Sequence, residues 1–212
     1  MISKGFEQIG IKYLDIKLDA LPASFSRYKI IHIADLHISK RVKNSQIISL
    51  IDQINSIESD IVVITGDLID APIMQIKEKL QLFTKLNKPL YFVSGNHELL
   101  YAKNSVDALC KIIDAINLDN SKIEIAKDNE SITLMGFSDR YSRLFGKKRE
   151  INHLFKDNSP TTILLAHQPK DINIAQKHNI SLQLSGHTHA GQIRTFDFLV
   201  RIAQPYIYGL KK

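Results

Sequence analysis

The sequence predicts an α/β protein with a largely parallel sheet, and three observations support this class. Short apolar runs rich in β-branched residues alternate with segments of helical periodicity through the first half of the chain. Strands that alternate with helices in this way form mainly parallel sheets. The chain has 212 residues, 44% of them hydrophobic, and shows no internal repeat or low-complexity linker. We therefore expect a single domain over residues 1–212.

The predicted elements follow one another in a regular order. Residues 11–18 alternate in polarity, which predicts a first, half-buried strand. Further strands are predicted where short apolar runs occur, at residues 29–34, 61–65, 90–93, 122–126, 131–137, 161–166 and 181–185. Helices are predicted where apolar residues recur at i, i+3 and i+4, at residues 44–57, from Pro72 to the stop at Lys88 and Pro89, around 106–113, and at 170–178.

Composition and termini exclude several classes of protein. The only cysteine is Cys110, so neither an internal disulfide framework nor a cysteine-based zinc site can form. The first residues lack the apolar core of a signal peptide, and no apolar run is long enough to cross a membrane. We expect a cytoplasmic protein, with membrane association left open. The formal net charge of +6 comes mostly from scattered lysines, which favours a solvated surface.

Metal-type ligands follow five of the predicted strands. Carboxyl ends of strands in open α/β sheets are where ligands bind. Residues two apart in an extended segment point the same way, so paired ligands could reach one ion together. The donors are carboxylate, carboxamide and imidazole groups without thiolate, which suits manganese, iron or zinc. The candidates are Asp35 and His37, Asp67, Asn96 and His97, His167, and His187 and His189.

Asp67 is the residue around which these ligands are arranged. It follows the apolar run IVVIT and a glycine in the stretch IVVITGDLID, residues 61–70. A bridging ligand must offer two oxygens, which a carboxylate does and an imidazole does not. The competing interpretation is that Asp67 caps the next helix. Glu98 and Asp70 likewise could orient ligands or cap helices.

The motifs DLH, GDLID, GNHE, LLAHQP and GHTHAGQ occur in this order along the chain. In these motifs the sequence resembles the calcineurin-like metallophosphoesterases, and especially a bacterial phosphodiesterase branch whose last motif reads GHTHGGQ. The resemblance implies a four-layer α/β/β/α sandwich, in which two mixed sheets are flanked by helices. The departure at Ala190 is minor. Because relatives continue past the point where this chain stops, a truncated C-terminus is left open.

The resemblance also implies a role for each ligand. The first ion is held by Asp35, His37 and His189, the second by Asn96, His167 and His187, and Asp67 bridges both. His97 is not a ligand but protonates the leaving oxygen or stabilises the charged transition state. Two divalent ions about 3.5–4 Å apart would turn a bridging water into the attacking hydroxide. Manganese is preferred for both ions, with iron or zinc as alternatives.

The implied reaction is hydrolysis of phosphodiester or pyrophosphate bonds in a small or lipid-linked substrate. GDLID lacks the Asp-Arg-Gly continuation of protein phosphatases, which disfavours a phosphoprotein substrate. The alternatives are a catalytically silent binding scaffold and a nuclease, although no nucleic-acid partner is expected. Residues 140–149 mix cations with apolar side chains and could grip an anionic or lipid-like substrate, or be a solvated loop. Peripheral membrane contact is a further possibility. An apolar cluster near the C-terminus could contribute to it or could complete the core; its members are Phe196, Phe198, Leu199, Val200 and Ile202.

Overall fold

Eight described strands form two four-stranded sheets. The structure, a computed structural model, describes residues 10–102, 105–188 and 209–210. The strands are β1 (Ile30–Ile33), β2 (Ile61–Thr65), β3 (Leu90–Val93), β4 (Ala115–Asn117), β5 (Ser121–Lys127), β6 (Glu130–Phe137), β7 (Thr162–Ala166) and β8 (Leu182–Leu184). The α-helices are α1 (Asn44–Ser56), α2 (Ile73–Gln81), α3 (Asn96–Tyr101), α4 (Val106–Ile113) and α5 (Ile172–Lys177).

The first sheet has the order β1-β2-β3-β4, and each neighbouring pair is parallel. Because the strands follow one another in sequence and such crossovers are right-handed, the connecting helices fall on one face of the sheet. The family resemblance implied two mixed sheets, whereas the alternation of strands and helices predicted a largely parallel one. Among the described strands this sheet is parallel throughout, since every connection between its strands is a helical crossover.

The second sheet has the order β5-β6-β7-β8 and is mixed, as expected. Strands β5 and β6 pair antiparallel as a hairpin, whereas β6, β7 and β8 pair in parallel. The hairpin turn consists of Asp128 and Asn129, with φ angles of 47° and 65°. Positive φ at both central residues is the geometry of a type I′ turn, which matches the twist of the two strands.

Alternating side chains of the strands divide the apolar residues into three cores and hence four layers. In β2, Val62 and Ile64 pack with the helices, while Ile61 and Val63 face the second sheet. The outer face of the second sheet forms the third core, whose buried members are Met135, Phe137, Leu154, Leu164, Ala166 and Ala175. The order of layers is therefore helices, sheet, sheet, helices, which confirms the predicted sandwich.

Some predicted elements differ from the structure. Residues 11–18 form no strand, and Tyr13 and Leu14 are exposed, because this segment pairs with no strand among the described residues. Strand β4 and helix α3 were not predicted. No helix in the described part of the chain has the length and apolarity needed to cross a membrane. His189 and residues 196–202 lie outside the described residues.

Candidate metal centre

The loops that follow β1 and β2 run side by side at the carboxyl ends of the strands. The backbone N–H of Asp35 donates to the Gly66 carbonyl (3.2 Å), and the N–H of His37 donates to the Asp67 carbonyl (3.0 Å). Asp35, His37 and Asp67 have φ angles of 55°, 47° and 52°. Such left-handed backbone is costly outside glycine and persists only where the surroundings hold it. The side chains are therefore aimed by turns rather than by extended strands.

Glycine at position 95 allows the loop after β3 to approach Asp67. A Cβ atom at this position would collide with the carboxyl group and the backbone nitrogen of Asp67. The missing side chain thus lets Asn96 and His97, which begin helix α3, lie beside the Asp67 carboxylate. This explains why the short sequence GNHE contains a glycine immediately before its ligand-type residues.

The buried carboxylate of Asp67 faces in two directions. Its Oδ1 accepts a hydrogen bond from the backbone N–H of His97 (2.9 Å), in the first turn of α3. Its Oδ2 lies 3.3 Å from Nε2 of His167 and 3.9 Å from Nε2 of His37. Burial by itself raises the pKa of Asp67, but the hydrogen bond and charge of His167 and the N–H of His97 hold it well below its usual range. The group is thus a carboxylate anion at neutral pH.

His167 presents one ring nitrogen to a cluster of electron-pair donors. Its Nδ1 lies 2.8 Å from the Thr65 carbonyl, which can only accept, so Nδ1 carries the proton. Its Nε2 then faces Oδ1 of Asn96 at 3.2 Å and Nδ1 of His187 at 3.1 Å, besides Asp67. Burial lowers the pKa of His167, but the hydrogen bond and charge of Asp67 outweigh burial and raise it to about 9. The surroundings therefore favour a positive charge at this point, as a cation site requires.

Among the described residues there are three groups of candidate ligands: one contains His37, Asp70 and His97, and the other two share Asp67. Of the two that share it, one contains Asp35, His37 and Asp67, the other Asp67, His167 and His187, and within each group the ligand atoms lie within 4.8 Å of one another. With metal–ligand distances of about 2.1 Å, two ligands on one ion lie at most about 4.2 Å apart. This limit is satisfied by the distances from Nε2 of His167 to Asp67, Asn96 and His187. It is also satisfied by the distance between Asp67 and His37. The arrangement fits two cations with the Asp67 carboxylate between them.

Asp35 and His187 are joined directly, although they lie far apart in the sequence. The backbone N–H of His187 lies 3.0 Å from both carboxylate oxygens of Asp35. His187 also has a left-handed backbone, with φ of 71°. The loop after β8 is therefore fixed to the loop after β1, and this contact ties the second sheet to the first at the site.

His97 is held by a carboxylate of its own. Its Nδ1 lies 3.1 Å from Oδ1 of Asp70, and its Nε2 lies 3.9 Å from Oδ2 of Asp67. Because an ionised carboxylate only accepts, Asp70 makes Nδ1 the donor and turns Nε2 toward the centre. Of the two interpretations of Asp70, the structure supports orientation of a histidine, since α2 begins after Pro72 without a side-chain cap.

Glu98 is a buried acceptor of backbone hydrogen bonds. The sequence suggested only that it orients ligands or caps a helix. One carboxylate oxygen accepts from the backbone N–H groups of Asp67 (2.8 Å) and Gly95 (2.7 Å), the other from those of Leu68 (2.9 Å) and Ile69 (3.1 Å). Burial and the charge of Asp67 raise the pKa of Glu98 to about 7, while the N–H donors at Gly95 and Ile69 oppose that rise. Glu98 therefore both caps α3 and fixes the Asp67 loop.

Replacing Glu98 with glutamine should destabilise the protein and weaken its metal binding. The amide keeps one acceptor oxygen but turns an N–H donor toward two backbone N–H groups. Above its raised pKa Glu98 is ionised, and hydrogen bonds to a charged group are worth about 1.5–3 kcal/mol each, so at such a pH losing two should lower the free energy of unfolding by about 3–6 kcal/mol. Chemical denaturation and metal titration would measure both effects. Glu78→Gln, the same change at an exposed position of α2, is the control, and equal behaviour of the two variants would contradict this role.

The structure brings together seven of the eight predicted site residues. They are Asp35, His37, Asp67, Asn96, His97, His167 and His187, while His189 lies outside the described residues. Asp35 and His37 lie in one group of candidate ligands, but left-handed turns bring them together rather than the extended segment that the sequence predicted. Helix α3 was missed, although the glutamate three residues after Gly95, which accepts the Gly95 N–H, supplies half of a capping box.

The fold therefore consists of two facing sheets, one parallel and one mixed, with carboxylate, carboxamide and imidazole donors converging at the strand ends. The chain belongs to the calcineurin-like phosphoesterase family, whose model matches residues 28–191. The predicted superfamily is thereby confirmed.

Relatives with curated sequences support the same family. The chain is 34% identical to an uncharacterized metallophosphoesterase of Helicobacter pylori, covering 99% of this chain and 56% of that protein. It is 30% identical to the uncharacterized metallophosphoesterase YkuE of Bacillus subtilis, covering 90% of this chain and 68% of that protein. A transmembrane protein with a metallophosphoesterase domain from Danio rerio is 28% identical, covering 93% of this chain and 48% of that protein. The chain thus spans about half the length of several relatives.

A solved structure shares the fold. The Thermus thermophilus protein TT1561 matches with a TM-score of 0.54 and 11% identity, over 74% of this chain and 80% of that one. At this identity the likeness concerns the arrangement of sheets and helices alone.

Proposed function

We propose that this chain is a phosphoesterase that uses two divalent metal ions to hydrolyse phosphodiester or pyrophosphate bonds. The observation that carries the proposal is the sharing of Asp67 by two groups of candidate ligands. A structural metal cage would need a single closed set of ligands. Two adjoining sets around one carboxylate are instead suited to a paired-metal hydrolytic site.

The charge of the donor set suits an anionic substrate. When bound, two divalent ions would acidify water and neutralise charge on a phosphoryl group. Asp35 and Asp67 supply two negative charges, whereas Asn96 and the histidines supply donor atoms without charge. Four positive charges against two negative ones leave the centre cationic, so it attracts a phosphate. The buried carboxylate of Asp67 belongs to both sets and so fixes their relative positions. Glu98 in turn fixes the loop that carries Asp67.

His97 is the proposed proton donor to the leaving oxygen. Its Nε2 faces the centre, while Asp70 holds Nδ1 from the opposite side of the ring. An imidazolium, with a proton on each nitrogen, can give its Nε2 proton to the leaving oxygen as the bond to phosphorus breaks and keep the Nδ1 proton that it donates to Asp70. His97 also lies close to His37, with ring centroids 4.4 Å apart. The acid and one candidate ligand therefore lie on the same side of the centre.

Manganese is the proposed native metal, with iron or zinc as alternatives. Carboxylate and carboxamide oxygens suit manganese, and imidazole also suits iron and zinc. The one thiol, Cys110, is buried in the core between the helices and the first sheet. It therefore supplies no soft ligand to the centre.

Metal removal and reconstitution test the proposal. Chelator-treated protein should not hydrolyse bis-p-nitrophenyl phosphate, and Mn²⁺ should restore hydrolysis more fully than Fe²⁺ or Zn²⁺. A phosphomonoester and a lipid pyrophosphate assayed in parallel would define the bond that is preferred. Hydrolysis that survives complete metal removal would contradict the proposal. Reconstituted protein that is silent on all three substrates would favour a binding scaffold, and cleavage of DNA alone would favour a nuclease.

A further inference from the structure

A short helical segment borders the candidate metal centre. Residues Arg140–Phe145 form a 3₁₀ helix directly after β6, and this helix packs against α3. The ring of Tyr141 lies 6.5 Å from the ring of His187, measured between centroids. Any surface that the segment contacts is therefore close to the site where a substrate phosphate would lie.

Two arginines fix the segment in place. Arg140 donates to Oδ1 of the buried Asp171 at 2.8 Å, and Arg149 donates to both oxygens of Asp171 at 2.8 and 2.7 Å. The guanidinium of Arg149 also lies 4.8 Å from the ring centroid of Phe137. Bidentate pairing at a buried carboxylate holds the guanidinium in one orientation. These two cations are therefore structural, and the segment between them is anchored near both ends.

The anchored segment exposes large apolar side chains. The side chain of Leu144 is 79% exposed and that of Phe145 is 47% exposed, while Leu100 of the adjoining helix α3 is 53% exposed. Scattered apolar residues on a surface are normal, but a cluster beside a site indicates an interaction surface. We name Leu100, Tyr141, Leu144 and Phe145 the apolar rim.

The charges beside the apolar rim indicate which surface it contacts. Arg143, Lys147 and Lys148 are exposed next to the rim, and residues 140–149 contain no acidic residue. Apolar side chains flanked by cations suit the boundary between phosphate headgroups and acyl chains. We propose that the apolar rim docks onto an anionic lipid membrane. This docking deepens the proposed function, because it places the centre where the phosphoester of a lipid-linked substrate would be.

Vesicle co-sedimentation tests the docking without any turnover, so its failure is distinguishable from failure of the phosphoesterase proposal. The chain should bind vesicles of phosphatidylcholine mixed with phosphatidylglycerol, and bind vesicles of phosphatidylcholine alone more weakly. The double variant Leu144→Ser/Phe145→Ser should lower binding at least about tenfold. In the parent chain both apolar side chains move from water into the membrane, and serine loses the free energy of that transfer. Lys147→Gln/Lys148→Gln should lower binding to the anionic vesicles and reduce its dependence on salt.

Met74→Ser is the matched control, because Met74 is 81% exposed on α2 and is not part of the apolar rim. It should bind vesicles like the parent chain, and circular dichroism should show that all variants are folded. Absence of binding to anionic vesicles, or equal binding by the Leu144→Ser/Phe145→Ser variant, would overturn the proposal. Self-association that this double variant abolishes, without vesicle binding, would assign the rim to a second copy of the chain and would also overturn it.

Discussion

Replacing Asp67 with asparagine should abolish phosphoester hydrolysis. One carboxylate oxygen accepts the His97 backbone N–H, and the other faces both His167 and His37. An amide has a single oxygen, so one of these functions is lost in either orientation. Changes to residues that only support metal ligands cost roughly 10–100-fold. We therefore expect turnover of bis-p-nitrophenyl phosphate to fall more than about a thousandfold here, because the oxygen that both candidate sites share is either replaced by an N–H group or left without its negative charge.

Asp52→Asn is the control for this variant, since Asp52 lies exposed on α1. It should retain the activity and the metal content of the parent chain. Bound metal would be counted by mass spectrometry after gel filtration, and Asp67→Asn should retain less than the parent. Parent-like turnover by Asp67→Asn would rule out a bridging carboxylate.

Replacing His97 with alanine should reduce turnover while the metal content stays unchanged. Loss of a general acid costs about 10²–10⁴-fold, and the histidine is not among the proposed ligands. The backbone N–H that donates to Asp67 survives the change, so the carboxylate keeps that contact. Rate measurement and metal analysis on the same preparation would separate the two effects.

A substrate with a good leaving group adds a second readout. The His97→Ala change should slow hydrolysis less for a substrate whose leaving oxygen needs no proton than for one whose leaving oxygen is strongly basic. His153→Ala, at an exposed position, is the control. If His97→Ala lost metal in proportion to activity, the residue would be a ligand and the assigned role would be wrong.

The strands and the position of the ligands were predictable because burial leaves a strong pattern. The run Ile61–Thr65 is buried at every residue, and a strand covered on both faces is apolar throughout. Parallel strands place their carboxyl ends at one edge, so the ligand-type residues after β1, β2 and β3 had to meet. The hairpin was predictable because Asp128 and Asn129 tolerate the left-handed turn.

Other features depend on tertiary contacts that local sequence does not encode. Residues 11–18 alternate in polarity, but alternation produces a strand only where a partner strand is available. The left-handed backbone at Asp35 and His37 is imposed by hydrogen bonds to the loop after β2. Glu98 accepts hydrogen bonds from backbone N–H groups of two separate loops. Of these, only the N–H of Gly95 is close to Glu98 in the sequence.

Anomalous diffraction from crystals grown with Mn²⁺ tests the central claim most directly, namely that one carboxylate joins two metal sites. The account predicts two peaks about 3.5–4 Å apart, with the carboxylate of Asp67 between them. One peak should lie beside His37 and the other beside His167. A single peak, or a pair of peaks that Asp67 does not contact, would contradict the account.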